Sequence, residues 1–138
     1  LHSTIKEKKA KIKHGHLPTI SAYPLELKQV FQNLISNSIK YCRNDVPPVI
    51  KIEYIETAEF HSFHIIDNGI GISESDRESI FEMFSRLEKK PEEDGLGIGL
   101  AITQKLVMLH LGSISIDSND LGGSTFTFTI SKSLDSVV

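Results

Sequence analysis

Cysteine is nearly absent from this sequence, with Cys42 the only one among 138 residues. No internal disulfide can form, and neither a zinc site nor a CxxC redox pair can be assembled. A reducing compartment is the expectation, and a cytoplasmic location with it. Blocks of one charge sign are also missing: the net charge is -3, and Lys6, Lys8, Lys9, Lys11 and Lys13 make only a locally basic first stretch. That stretch reads as a solvated helix face rather than a nucleic-acid patch. No apolar run approaches the roughly 18 residues needed to cross a bilayer, and the start has no signal-peptide pattern. Neither nucleic acid nor membrane is therefore an expected partner. There is no internal repeat or low-complexity tract. The chain begins at Leu1 rather than Met, as a piece of a longer protein would, and sensing or anchoring elements are expected upstream.

What is present is an ordinary globular composition, 39% apolar and 24% charged, and residues 1–138 read as one domain with a real core. Leu1 to Lys13 has the spacing of a short amphipathic helix. A short extended piece is expected near Leu17 to Ala22. Pro24 stands where a first-turn proline is tolerated, and Leu27, Val30, Phe31, Leu34 and Ile35 recur on one arc of a helix reaching Tyr41. Val49 to Ile55 and Phe60 to Asp67 alternate as antiparallel strands. Glu74 to Leu87 returns to helical spacing after Ser73, a plausible cap, and Glu88 to Asp94 forms a loop. A helix from about Gly99 to Leu109 follows, and strands Ser113 to Asp117 and Ser124 to Ile130 close the chain around Gly122-Gly123. The residues from Ser131 to Val138 read as a tail. Helices interleaved with hairpin-like strand pairs predict an α+β fold in which helices cover one face of a mixed sheet.

Polar groups recur at telling places in that frame. Asn33, Asn37 and Lys40 fall at i, i+4 and i+7 and share one strip beside the apolar arc. Amide oxygens are hard ligands suited to Mg²⁺, which takes few protein ligands and completes its shell with water and phosphates. Lys40 can neutralise the same phosphates. Alone, this strip reads as a solvated face that happens to carry two asparagines. Asp67-Asn68-Gly69 follows a strand and alone reads as a tight turn. Gly71, flanked by Ile70 and Ile72, leaves bare backbone beside small apolar walls, room for a flat base whose exocyclic amine Asp67 would accept. Gly95, Gly97 and Gly99 have GxGxG spacing just before a helix, where backbone amides can face an anion. The spacing is neither the Rossmann fingerprint nor a P-loop, and the elements of protein kinases are missing. Arg86, Lys89 and Lys90 precede this loop, and Arg86 is the best candidate for meeting a γ-phosphate.

Taken in order, these segments resemble the catalytic and ATP-binding domain of sensor histidine kinases, within the gyrase, Hsp90 and MutL type of ATPase. Asn33 to Tyr41 is similar to the N box, Asp67 to Ile72 to the G1 box, Ile80 to Arg86 to the F box, and Gly95 to Ile102 to the G2 box. The resemblance covers about Ile12 to Ile130. It implies a two-layer α/β sandwich of the Bergerat type holding ATP and Mg²⁺ between the N-box helix and a lid. It implies that Asn37, helped by Asn33, coordinates Mg²⁺, that Lys40 and Tyr41 contact phosphates or ribose, and that Asp67 binds the adenine amine. Gly69, Gly71 and Ile72 would shape the adenine pocket, Ser124 would support a water beside the base, and Phe84, Leu96 and Leu100 would complete the walls. Gly95, Gly97 and Gly99 would hinge the lid, from which Arg86 would stabilise charge during transfer.

Within that superfamily the hydrolysing members carry a glutamate where this chain has Asn33, and an amide cannot take a proton from water. Poor hydrolysis and catalysis by positioning and electrostatics, through Asn33, Lys40 and Arg86, are expected. His2, His14, His16, His61, His64 and His110 all lack the acidic residue and downstream Thr or Asn of the usual phosphoacceptor motif. The resemblance therefore implies two partners: a dimerisation and phosphoacceptor hairpin upstream, which Leu1 to Lys9 would follow, and a response-regulator receiver domain. Three positions depart from the family pattern: Tyr23 for an aspartate, Leu96 for a threonine, and Leu111 for the first of two glycines. A non-catalytic nucleotide-sensing module and an anti-sigma-type serine kinase are the alternative functions.

Overall fold

The computed structural model describes residues 9–77, 79–81 and 96–136. Five strands, β1 (Lys11–His14), β2 (Val49–Glu56), β3 (Phe60–Asp67), β4 (Ile114–Ser118) and β5 (Ser124–Ser131), form one mixed sheet in the order β1-β2-β3-β5-β4. The β1–β2 pair is parallel and the others are antiparallel. Helices α1 (Pro24–Lys40) and α3 (Leu96–Leu109) are the long ones, and α2 (Glu74–Arg77) is a single turn followed by a 3-10 turn at Ser79–Phe81.

The period-2 alternation of β3 decides which of its residues face the helices. His61, Phe63, Ile65 and Asp67 are buried, while the residues between them are partly exposed. On β5 the buried set is Ser124, Phe126, Phe128 and Ile130. From α1, Val30, Leu34 and Ile39 pack down onto this face, and Phe31 meets Phe63 and Phe128 edge-on at 5.5 and 5.2 Å between ring centroids. Each such aromatic pair adds about 0.5–1.5 kcal/mol beyond the area it buries.

Helices α1 and α3 are tied at two points. Tyr23, at the N-cap of α1, has no side-chain cap bond. Its N–H instead donates to His110 Nε2 at 3.1 Å, which leaves the ring proton on Nδ1, 2.8 Å from the Leu106 carbonyl. Asn33 Nδ2 donates to Thr103 Oγ1 at 3.0 Å. His110 and Thr103 are both fully buried. His61 and His64 also serve the fold, through Tyr54 and Thr127.

Several expectations are corrected. Lys11 to Lys13, read as the end of a helix, belongs to β1; alternation places Ile12 against the core and leaves Lys11 and Lys13 exposed at a sheet edge, where lysine discourages further pairing. Residues 1–8 lie outside the described set. The segment Leu17 to Ala22, expected as a short extended piece, pairs with no strand of the sheet. The helix expected from Glu74 changes to a 3-10 turn after Arg77, and residues 82–90 lie outside the described set. Helix α3 starts at Leu96, not Gly99. Glycine costs only about 1 kcal/mol in a helix, and tertiary packing overrides it. Ser131 ends β5, and the turn at Lys132–Ser136 buries Leu134 in the core, so most of the expected tail belongs to the fold.

Leu111 has φ of +58° and is 58% exposed. A left-handed backbone costs a residue with a Cβ about 1–2 kcal/mol, part of which glycine gives back as unfolded-chain entropy. Leu111→Gly should stabilise the chain by about 0.5–1 kcal/mol in denaturant titration; a loss of stability would show that the leucine's remaining contacts outweigh the strain.

Candidate functional site

Asp67 takes the last core-facing position of β3 and is 6% exposed. Its Oδ1 accepts the backbone N–H groups of Gly69 at 2.9 Å and Ser124 at 3.0 Å. Its Oδ2 accepts the Ser38 hydroxyl at 3.0 Å. Burial pushes the Asp67 carboxyl above its ordinary value of 3.8, and these three donors pull against that rise. The donors come from the start of β5, the turn after β3 and the last turns of α1, so the carboxylate joins three parts of the chain.

The Asp-Asn-Gly segment is not the hairpin turn that its composition allows. Asn68 leaves the turn to accept Val49 N–H at 2.9 Å and to donate to the Pro47 carbonyl at 3.3 Å. Gly69 is needed for space: an added Cβ would lie 2.5 Å from the Tyr41 carbonyl oxygen. That carbonyl, one residue beyond α1, accepts Ile70 N–H at 3.0 Å. Gly71 does adopt positive φ, +79°, where a Cβ would also meet the Gly122 carbonyl oxygen at 2.9 Å. Ile70 and Ile72 pack against the core beside it.

On α1 the two asparagines part company. Asn33 is engaged, its Oδ1 accepting Gln29 Nε2 at 2.7 Å while its Nδ2 reaches Thr103. Asn37 is 3% exposed, and its Oδ1 has no hydrogen-bond partner among the described residues. A buried acceptor left unpaired costs about 1–3 kcal/mol, so a native one marks a place for a missing donor, ion or water. An amide oxygen suits Mg²⁺, and the residue fits that ion. Half-buried Lys40 follows one turn later, in the last turn of the helix, and Tyr41 is buried at its C-cap.

Gly97 and Gly99 lie in the first turn of α3 rather than before it. The N–H groups of a helix N-cap and its first three residues have no intrahelical acceptor, so Gly97 supplies a backbone donor at a positive helix end, while the N–H of Gly99 closes the first helical turn. Leu96 begins that turn and Leu100 is buried behind it. The structure thus brings together Asp67, Gly69, Gly71, Ile72, Ser124, Tyr41 and the end of α1, and ties α1 to α3 through Asn33. Phe84, Arg86 and Gly95 lie outside the described residues. Two partners of Asp67 were not read from the sequence. Ser38 hides inside the N box as an ordinary helix residue. Asn119 donates through Nδ2 to the Asp67 and Ser124 carbonyls at 2.9 and 3.0 Å, and its only sequence signal is the turn-forming run before Gly122.

Residues 22–134 match the family of histidine kinase-, DNA gyrase B-, and HSP90-like ATPases. The chain is 43% identical over 130 residues to the phytochrome-like protein Cph1 of Synechocystis sp., covering 94% of this chain and 17% of that protein. It is 40% identical over 115 residues to the adaptive-response sensory kinase SasA of Nostoc sp., covering 83% and 28% of the two. The chain thus spans less than a third of either relative. The fold is that of the mycobacterial sensor histidine kinase MprB, with a TM-score of 0.81 at 20% identity over 94% of this chain and 89% of that one.

The raised Asp67 carboxyl has a consequence for stability. Native Asp67 holds its proton more tightly than the unfolded chain does, so this group favours the fold most below 3.8 and progressively less as pH rises through its raised value. Asp67→Asn keeps an acceptor for Gly69 and Ser124 but has no such step. Its stability relative to wild type should rise with pH across that window and then level off, as followed by denaturant unfolding at stepped pH; a relative stability that falls would mean the three donors outweigh burial.

Proposed function

Because the chain belongs to the histidine kinase-, DNA gyrase B-, and HSP90-like ATPase family, as a catalytic domain of the sensor histidine kinase type, we propose that it binds Mg-ATP and transfers the γ-phosphoryl group to a histidine on a separate dimerisation domain. The observation that carries this reading is the pairing of a buried, donor-held carboxylate at Asp67 with the unsatisfied Asn37 oxygen on the adjoining helix.

Under this reading Asp67 Oδ2, which holds one hydroxyl, accepts the adenine amine, and the bare backbone at Gly69 and Gly71 lets the base lie against Ile72. Ser124 supports the far side through its hold on Asp67. Asn37 is the Mg²⁺ ligand, with Asn33 an auxiliary one that must loosen its bond to Gln29. Bound Mg²⁺ neutralises phosphate charge. Lys40 adds a cation at the same helix end, Gly97 offers its backbone N–H to the phosphates, and Gly99, without a side chain, lets them approach the first turn. Arg86 is proposed to stabilise charge as transfer proceeds, with Phe84, Leu96, Leu100 and Gly95 completing the pocket and its lid. No carboxylate stands at Asn33 to deprotonate water, so hydrolysis is slow and the nucleophile comes from outside. His61, His64 and His110 are all committed to the fold. The partners are accordingly a phosphoacceptor hairpin upstream and a receiver domain downstream in the signalling chain, on the cytoplasmic side. Among the described residues no helix is long and apolar enough to cross a membrane.

Calorimetric titration should show that Asp67→Asn weakens ATP binding by about 1–3 kcal/mol, since an amide meets the adenine amine with a donor; unchanged affinity would remove the adenine assignment. Asn37→Ala should abolish the Mg²⁺ dependence of ATP binding while leaving metal-free binding near wild type. Adding the parent protein's phosphoacceptor domain with γ-labelled ATP tests the transfer itself. Label on that domain's histidine supports a kinase, and tight binding without label supports a nucleotide-sensing module.

A further inference from the structure

The two N–H groups that grip Asp67 Oδ1 come from segments next to different loops. Gly69 belongs to the loop after β3, and Ser124 follows the turn between β4 and β5. The spacing of those loops therefore sets the aim of the carboxylate. Asn119 organises the second loop, accepting Leu121 N–H at 2.9 Å and Gly123 N–H at 3.2 Å through Oδ1. Arg43, three residues beyond α1, bridges the two: its Nε donates to the Gly69 carbonyl at 3.1 Å and its Nη2 to the Leu121 carbonyl at 3.0 Å. A planar guanidinium with donors in a fixed fork can hold two carbonyls at a set separation, which a single ammonium on a flexible stem cannot.

We propose that Arg43 is a positioning residue for base selection, clamping the loop after β3 and the β4–β5 loop so that Asp67 presents Oδ2, which accepts only the Ser38 hydroxyl, to an exocyclic amine. This rests on the adenine reading above. Arg43 touches neither base nor phosphate in this role; it acts through the two carbonyls, and its contribution is discrimination between bases rather than overall grip. Preorganised recognition of this kind loses selectivity when the supporting residues loosen, even where the contacting group is intact.

Calorimetry of wild type, Arg43→Met and Arg43→Lys with ATP and with ITP, which presents a carbonyl in place of the adenine amine, tests the proposal. Wild type should prefer ATP, and Arg43→Met should narrow that preference by roughly three- to tenfold, the worth of one or two hydrogen bonds. Arg43→Lys should recover only part of it. In Arg43→Met the Gly69 and Ser124 amides should also exchange faster with solvent, while those of Ile65 and Phe126 keep their protection. A wild-type chain that binds ATP and ITP alike overturns the adenine reading itself. A preference retained in full by Arg43→Met, or an equal loss for both nucleotides, overturns the positioning role alone.

Discussion

A carboxyl group held out of water by neutral donors is expensive to maintain, and much of the site follows from holding Asp67 where it is. Two backbone N–H groups and one hydroxyl replace its hydration, and each comes from a different segment. The end of α1, the turn after β3 and the start of β5 cannot shift separately without releasing a donor. A further neutral donor, such as an aromatic amine, would relieve the desolvation that remains.

The helices serve this arrangement by fixing α1 along its length. Its N-terminus hangs on His110, its middle on Thr103, and its C-terminal half on Asp67 through Ser38. The aromatic cluster of Phe31, Phe63 and Phe128 sits below. With the helix held in this way, the Asn37 oxygen finds no hydrogen-bond partner among the described residues.

Most of the fold was legible because periodicity speaks clearly where one face is buried. The alternation of Phe60 to Asp67 placed β3 to the residue, and the arc from Leu27 to Ile35 placed α1. The edge strand β1 was not legible, since KIKH carries a single apolar residue and its partner lies far along the chain. The start of α3 was misplaced because glycine weighs against a helix locally, while burial of Leu100 and Val107 decides for it. At the site, Asp67, Asn37, Gly69 and Gly71 announce themselves as departures from local rules. Ser38, Arg43 and Asn119 do not, because they act by bonding to partners that only the folded chain brings near.

The anchoring of α3 is lopsided. Its ties to α1 fall at Thr103 and at His110 just past its end, whereas its first turn contains two glycines. Glycine lowers the cost of leaving the helix by about 1 kcal/mol per residue. The helix thus resembles a zipper whose stop begins at Leu100: unwinding that starts at Leu96 can run inward for about one turn before it disturbs buried Leu100 and Ala101, and Thr103 lies just behind them. Changes of backbone path over Leu96 to Gly99 can therefore take place within a fold whose Asp67 end is held by three donors.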